Sequence, residues 1–167
     1  CYIFLDNEER KRFAQDIHEY LIEQLQYFEE SISNSTTKKV NLNFNHPVKE
    51  LIWTNTSSDI TTQKAKLTLN GHDRFAERDF RYFTRAQVWQ HHTGHGGVVN
   101  RDSVNVYSFA LKPEEHQPSG TCNFSRIDNA TLKITRPAAV AGVLKLFAVN
   151  YNVLRIMSGM GGLAYSN

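Results

Sequence analysis

Cysteine is scarce in this sequence: Cys1 and Cys122 are the only two in 167 residues. Two thiols cannot build a disulfide framework, and they show no repeated metal-knuckle spacing. A reducing compartment is the simpler setting for such a chain. Charge of one sign is missing too, because 19 Lys and Arg stand against 17 Asp and Glu for a net charge of +2. That balance excludes the concentrated basic face of a dedicated nucleic-acid binder. No apolar run approaches the ~18 residues of a membrane-spanning helix. The first residues, Cys-Tyr-Ile-Phe-Leu-Asp, carry neither an initiator Met nor a signal peptide. They read as the middle of a strand, and the chain as an N-terminally truncated fragment of one domain, residues 1–167. Also absent are a Gly-x-Ser-x-Gly elbow and a Lys-Ser/Thr after Gly159-Met-Gly-Gly, so neither a serine hydrolase nor a phosphate loop is indicated.

What is present is aromatic and β-prone. Ten Phe and seven Tyr supply core bulk, and a chain of this length buries roughly 70% of its unfolded surface. Charged, helix-compatible text opens at Asn7, with Asp6 or Asn7 as N-cap and Glu8-Glu9 at the positive end of the helix dipole. From Tyr20 to Gln26 the pattern fits both periods: Leu21, Leu25 and Phe28 recur as on a helix, while Tyr20, Ile22 and Gln24 share one face of a strand.

Beyond Ser31 strand signals dominate. Val40, Leu42 and Phe44 alternate with asparagines until His46-Pro47 interrupts them. Further strands are expected at Val48–Trp53, at Lys64–Asn70 before the Asn70-Gly71 turn, at Val104–Leu111, at Ile127–Thr135 and at Leu144–Met157. The long segment His72–Arg101 reads mostly as loop with short pieces of structure, and the glycines at 159, 161 and 162 as a flexible tail. About eight short strands point to an all-β sandwich, jelly roll or barrel.

Chemistry-bearing clusters are few. His91 and His95 have the i, i+4 spacing of zinc ligands, but Gly94, Gly96 and Gly97 oppose a helix there and no Glu stands between them as a base. No metal and no cofactor is expected, and His46 and His116 read as surface turn residues. Asp73, Glu77 and Asp79 alternate with Arg74, Arg78 and Arg81, which suggests ion pairs rather than a general acid and base. The sequons at Asn34, Asn55, Asn123 and Asn129 are taken as chance.

Several ordered blocks carry a family likeness. They include Tyr2-Ile-Phe-Leu-Asp-Asn-Glu-Glu-Arg-Lys-Arg-Phe-Ala-Gln, Phe44-Asn-His-Pro-Val-Lys-Glu-Leu-Ile-Trp and Leu69-Asn-Gly-His-Asp-Arg-Phe. The longest runs from Val106-Tyr-Ser-Phe-Ala-Leu-Lys-Pro-Glu-Glu-His to Arg126-Ile-Asp-Asn-Ala, and the last from Phe147-Ala-Val-Asn-Tyr-Asn to Ala164-Tyr-Ser-Asn. This text resembles the major capsid proteins of large cytoplasmic double-stranded DNA viruses, the iridovirus and phycodnavirus kind. Thr93–Arg101, Asn34–Lys39 and Arg136–Val143 carry none of it.

The resemblance implies a jelly-roll β-sandwich, most of the second roll of a double jelly-roll protein with its opening absent, and a short helix around Glu8–Ala14 followed by strand at Tyr20–Gln26. It also implies a non-enzymatic structural protein of the virion. Three full chains would form a pseudo-hexagonal capsomer, meeting neighbouring capsomers and minor capsid proteins. The icosahedral shell would assemble in the host cytoplasm around an internal membrane that the chain does not span, without direct nucleic-acid contact. Arg78, Phe80, Arg81, Tyr82, Phe83, Trp89, His91 and His92 form the candidate subunit interface, being rich in interface-anchoring residue types. The same aromatics would equally serve to plug one end of the sandwich. A carbohydrate-binding jelly-roll module and a cupin-like metalloenzyme share the architecture, so fold alone does not choose among them.

Overall fold

The computed structural model describes residues 3, 6–33, 35–55, 63–94, 104–139 and 141–166. The chain divides into two compact units, Cys1–Gln24 with Tyr151–Asn167, and Leu25–Asn150.

The first unit opens with helix α1 (Asn7–Gln15). Asp6 is its N-cap: its carboxylate accepts the Glu9 backbone N–H at 2.8 Å. Glu8 and Glu9 sit in the first turn, as the dipole favours. No residue of α1 is buried. The chain then enters β1 (His18–Ile32), which resolves the Tyr20–Gln26 ambiguity as strand. Phe13 stacks on His18 with ring centroids 4.6 Å apart. The long strand β10 (Gly142–Met157) ends in this unit and turns back into β11 (Met160–Leu163). Ser158 (φ 53°) and Gly159 (φ 74°) form the tight turn, and Met157 pairs with Met160. The glycines expected to be a loose tail are therefore a paired hairpin strand. Backbone hydrogen bonding to β10 supplies order that side-chain burial does not.

The second unit holds the sandwich. Its further strands are β2 (Thr37–Asn41), β3 (Pro47–Asn55), β4 (Lys64–Leu69), β5 (His72–Asp73), β6 (Arg78–Asp79), β7 (Val104–Ser108), β8 (Cys122–Asn123) and β9 (Ala130–Thr135). One sheet runs β1-β10-β3-β7 and the other β2-β9-β4-β5, with every pairing whose register is defined antiparallel. The short strands β8, β11 and β6 attach beside β3, β10 and β4. These two four-strand paths are the strand order of an eight-strand jelly roll. β1 stands at the edge of one sheet and β2 at the edge of the other.

Period-2 burial builds the core. Leu51, Trp53, Leu144, Leu146 and Ala148 from the first sheet meet Val40, Ala65, Leu67, Leu132 and Ile134 from the second. Leu42 and Phe44 lie past the end of β2 yet are buried, and the Leu42 N–H still donates to the Ala130 carbonyl at 2.8 Å. His46 is 6% exposed and has φ 65°, so it is not a surface turn residue. A β-bulge falls at Lys49, where pairing jumps from Val149↔Glu50 to Asn150↔Val48. The bulge turns Lys49 into the interior, where its Nζ donates to the Pro113 carbonyl at 2.6 Å.

The segment expected to be mostly loop is partly helical. A π-helical turn (Tyr82–Ala86), closed by the Gln87 N–H on the Tyr82 carbonyl, runs into α2 (Gln87–His91). No helix among the described residues is long and apolar enough to cross a membrane.

Two glycines permit turns that other residues would strain. Asn70 (φ 49°) and Gly71 (φ 80°) make the two-residue hairpin between β4 and β5. Gly120 (φ 146°) is tighter, because an added Cβ would lie 2.7 Å from the Phe109 carbonyl oxygen. That backbone cannot yield, since the N–H groups of Phe109 and Ala110 are both held by the Lys49 carbonyl. Gly120→Ala should therefore destabilise the chain by about 1–3 kcal/mol, lowering the melting temperature by roughly 2–4 °C per kcal/mol. Gly71→Ala, with open space around it, should cost less. Equal melting of the two variants would sink the steric account.

Candidate functional site

The candidate interface residues lie on the helical segment between β6 and β7 and on its flanks. This segment packs along β7, the edge strand of the first sheet. Gln87 ties it down: its Oε1 accepts the Ser108 N–H at 3.1 Å, while its Nε2 donates to the Tyr82 hydroxyl at 2.8 Å. An exposed sheet edge is thereby covered, as stable β proteins require.

The candidate residues separate by burial. Phe83 is fully buried and meets Trp53 edge-on with centroids 5.1 Å apart. Phe75 bridges Phe83 (5.4 Å) and Tyr107 (4.8 Å). Phe83 is therefore removed from the interface set, because its contacts belong to the core of its own chain. Tyr82 packs against the same cluster and carries the Arg78 guanidinium over its ring at 4.6 Å. Arg81 lies over Phe80 at 5.5 Å. Trp89 differs from the other aromatics, with 78% of its surface exposed on α2.

The histidines lock the end of the segment. His91 Nδ1 lies 3.0 Å from the Leu111 carbonyl. His92 sits between two carboxylates, with Nε2 3.1 Å from Glu50 Oε2 and Nδ1 3.2 Å from Glu114 Oε1. The contact to Glu50 has ion-pair distance without hydrogen-bond alignment. His95, the i, i+4 partner of His91, lies outside the described residues. Among the described residues, no group of three or more His, Cys, Asp and Glu side chains converges to hold a metal.

Two of the alternating acids pair with lysines rather than with the interleaved arginines. Asp73 pairs with Lys66 at 2.6 Å and Glu77 with Lys133 at 3.1 Å, both lysines on neighbouring strands. The Lys66 ammonium holds the Asp73 carboxyl below its ordinary range. Asp79 accepts the Arg81 N–H at 3.0 Å. The Glu77–Lys133 pair was invisible in the sequence, since β9 lies far from Glu77 along it. Cys122 is half-buried and free, and burial pushes its thiol up, which suppresses nucleophilic thiolate.

A family model described as large eukaryotic DNA virus major capsid protein matches residues 9–64 and 54–162. The major capsid protein of Pyramimonas orientalis virus is 53% identical over 99% of this chain and 48% of its own length. That of Paramecium bursaria Chlorella virus 1 is 43% identical, over 99% of this chain and 53% of its length. A quasi-atomic model of the PBCV-1 virus capsid superposes with a TM-score of 0.82 at 39% identity, covering 99% of this chain and 56% of that one. The Faustovirus major capsid protein, at 13% identity and a TM-score of 0.72, shares the fold over 92% of this chain and 36% of its own. The chain thus spans about half the length of the curated relatives it matches.

The clamp at the end of α2 should respond to pH. The Thr93 backbone N–H donates to Glu114 Oε1 at 3.1 Å and, with the Thr93 hydroxyl and the His92 ring, holds the Glu114 carboxyl below the usual carboxylate range. Because folding lowers this pKa, the contact stabilises at pH above the ordinary carboxylate value and is lost as pH falls through the lowered one. Hydrogen-exchange protection of the Thr93 amide should persist through mildly acidic pH and collapse only below it. In Glu114→Gln the acid-linked part of that protection should vanish. Identical pH profiles for the two proteins would refute the clamp.

Proposed function

The chain belongs to the large eukaryotic DNA virus major capsid protein family, and from that membership we propose that residues 1–167 are the C-terminal jelly-roll domain of a longer, non-catalytic shell protein. Three full-length copies join into a pseudo-hexagonal capsomer, and capsomers tile an icosahedral virion. The shell assembles in the host cytoplasm, around an internal membrane that the chain does not span. Its partners are further copies, neighbouring capsomers and minor capsid proteins, with no direct nucleic-acid contact. The observation that carries this reading is coincidence of extent: the family match runs from residue 9 to residue 162, over all eight strands of the roll.

The physical logic supports a wall rather than a reaction vessel. Two packed antiparallel sheets give a rigid body, and repeated subunits require large self-complementary surfaces. The near-balanced charge suits protein contacts better than a phosphate backbone. On this reading the subunit contact includes the outward part of the helical segment: Arg78, Phe80, Arg81, Tyr82, Trp89, His91 and His92. Trp89 is its anchor, because it projects from a segment that Gln87 and Phe83 already fix to the sandwich. A rigid support lowers the ordering cost of binding.

Truncating such an anchor typically costs ~2 kcal/mol or more, about thirtyfold in affinity. In the full-length protein, Trp89→Ala should weaken trimers by that order while circular dichroism shows unchanged β content. Light scattering supplies the first readout. Trimers that persist at wild-type strength would place the subunit contact elsewhere.

A further inference from the structure

β11 differs from the other margins of the two sheets. β1, at the edge of the first sheet, carries Glu19, Glu23, Glu29 and Glu30, and β2, at the edge of the second, carries Lys38 and Lys39. A copy laid along either strand would bring like charges together, which guards an open edge against pairing. β5, β6 and β8 are two residues long, and β7 is covered by the helical segment. β11 has none of these guards. It reads Met160-Gly-Gly-Leu163, carries no charge, and all four residues are exposed. Among the described residues it pairs only with β10.

The hairpin fixes which backbone groups of β11 face outward. The Ala164 N–H donates to the Val153 carbonyl at 2.8 Å, and the Met157–Met160 pair closes the two-residue turn. Hydrogen-bonded residues alternate along an antiparallel pair. Met160, Gly162 and Ala164 therefore bond toward β10, and the N–H and C=O groups of Gly161 and Leu163 point away from it. A second β11, run antiparallel about a two-fold axis at Gly162, meets those groups in register. Gly161 of each copy then faces Leu163 of the other, and the two such pairs make four backbone hydrogen bonds. Gly162 faces its own counterpart in the close, non-hydrogen-bonded pair, where Cα atoms stand ~4.5 Å apart. Having no side chain, it leaves that approach open. Met160 falls opposite Ala164 of the other copy, an apolar contact at each end.

We infer that β11 is a self-pairing edge, joining two copies of this chain through Gly161, Gly162 and Leu163 of each. An extended segment of another polypeptide could use the same main-chain groups, but every group that self-pairing needs is already on this chain. Pairing about a two-fold also consumes both edges, so the contact closes rather than growing into a fibre. Four residues bury far less than the ~1,000 Å² of a stable isolated interface. The pair is therefore weak alone and gains from multiplicity. On the capsomer reading above, on which this step rests, a trimer carries three copies of β11. A two-fold contact cannot relate subunits of one three-fold ring, so it links one capsomer to the next and is separate from the contact at Trp89.

The test introduces Gly162→Cys and, in a second sample, Gly161→Cys into the full-length protein, each then oxidised mildly with diamide. An added Cβ meets nothing within 4 Å at Gly162 and only the Ile156 side chain, at 3.8 Å, at Gly161, so both substitutions fit. At the axis the spacing of ~4.5 Å lies inside the ~4.4–6.8 Å between Cα atoms that a disulfide spans. Gly161 and its counterpart are offset by two residues, roughly 8 Å apart and out of reach. Gly162→Cys should give a product of twice the chain mass with position 162 joined to position 162, and Gly161→Cys should give none. Adding Leu163→Pro to Gly162→Cys should abolish the product, because it removes an outward N–H and spares the bonds to β10. No product from Gly162→Cys, equal yields from the two cysteines, persistence with Leu163→Pro, or linkage of position 162 to any other cysteine would overturn the inference. Light scattering before oxidation reports trimers independently, so a capsomer that fails to form is told apart from a strand that fails to pair.

Discussion

Packing between the inner faces of the two sheets is the interaction on which the rest of the molecule depends. Trp53, Leu51, Leu144 and Leu146 can face Leu67, Leu132 and Ile134 only if each strand alternates in register. A one-residue slip in β9 would exchange Leu132 and Ile134 for Lys133 and turn lysine into the core. Register is therefore strongly specified, and the connections must conform to it. The bulge at Lys49 and the left-handed backbone at His46 are local departures that let β3 keep its pairing with β10, β7 and β8.

Edges impose the second constraint. A jelly roll leaves strands at the sheet margins, and β7 is one of them. Here the β6–β7 connection resolves the problem with a helical turn whose Gln87 reaches across to a free N–H of β7 and whose Phe83 inserts beside Trp53. The side chains of this segment part by direction: Phe83 is packed into the core beside Trp53, while Trp89 is left outside. Of the two alternatives for these aromatics, core plug accounts for Phe83, and the contact surface is the role proposed for Trp89.

Charge is used locally. Acidic residues of the β5–β6 region are met by lysines from β4 and β9, and Glu114 is met by the Thr93 N–H and the His92 ring. Exposed pairs of this kind contribute little to stability individually, ~0–1 kcal/mol. Their value lies in orientation: Asp73–Lys66 joins β5 to β4, Glu77–Lys133 ties a connection to β9, and Glu114 holds the residues that follow α2. Arg136 acts similarly, donating from a buried position to the Ser33 and Ser35 carbonyls and so pinning the turn before β2.

The sequence by itself determined an α1 cap at Asp6 or Asn7, the Asn70-Gly71 hairpin and the strands with clean alternation, such as Lys64–Leu69, because each depends on a few adjacent residues. It also carried the family likeness, which lives in ordered text. Tertiary structure decided what local text leaves degenerate. Tyr20–Gln26 satisfies both helical and strand periods; the family likeness implies strand, and pairing with β10 is the physical reason for it. Gly161 and Gly162 look structureless until backbone bonds to β10 are available. Phe83 and Trp89 are both large aromatics in one charged stretch, six residues apart on one helical segment. That one is buried and the other bare follows from where the β7 edge and Trp53 stand, a position set by strands dozens of residues away.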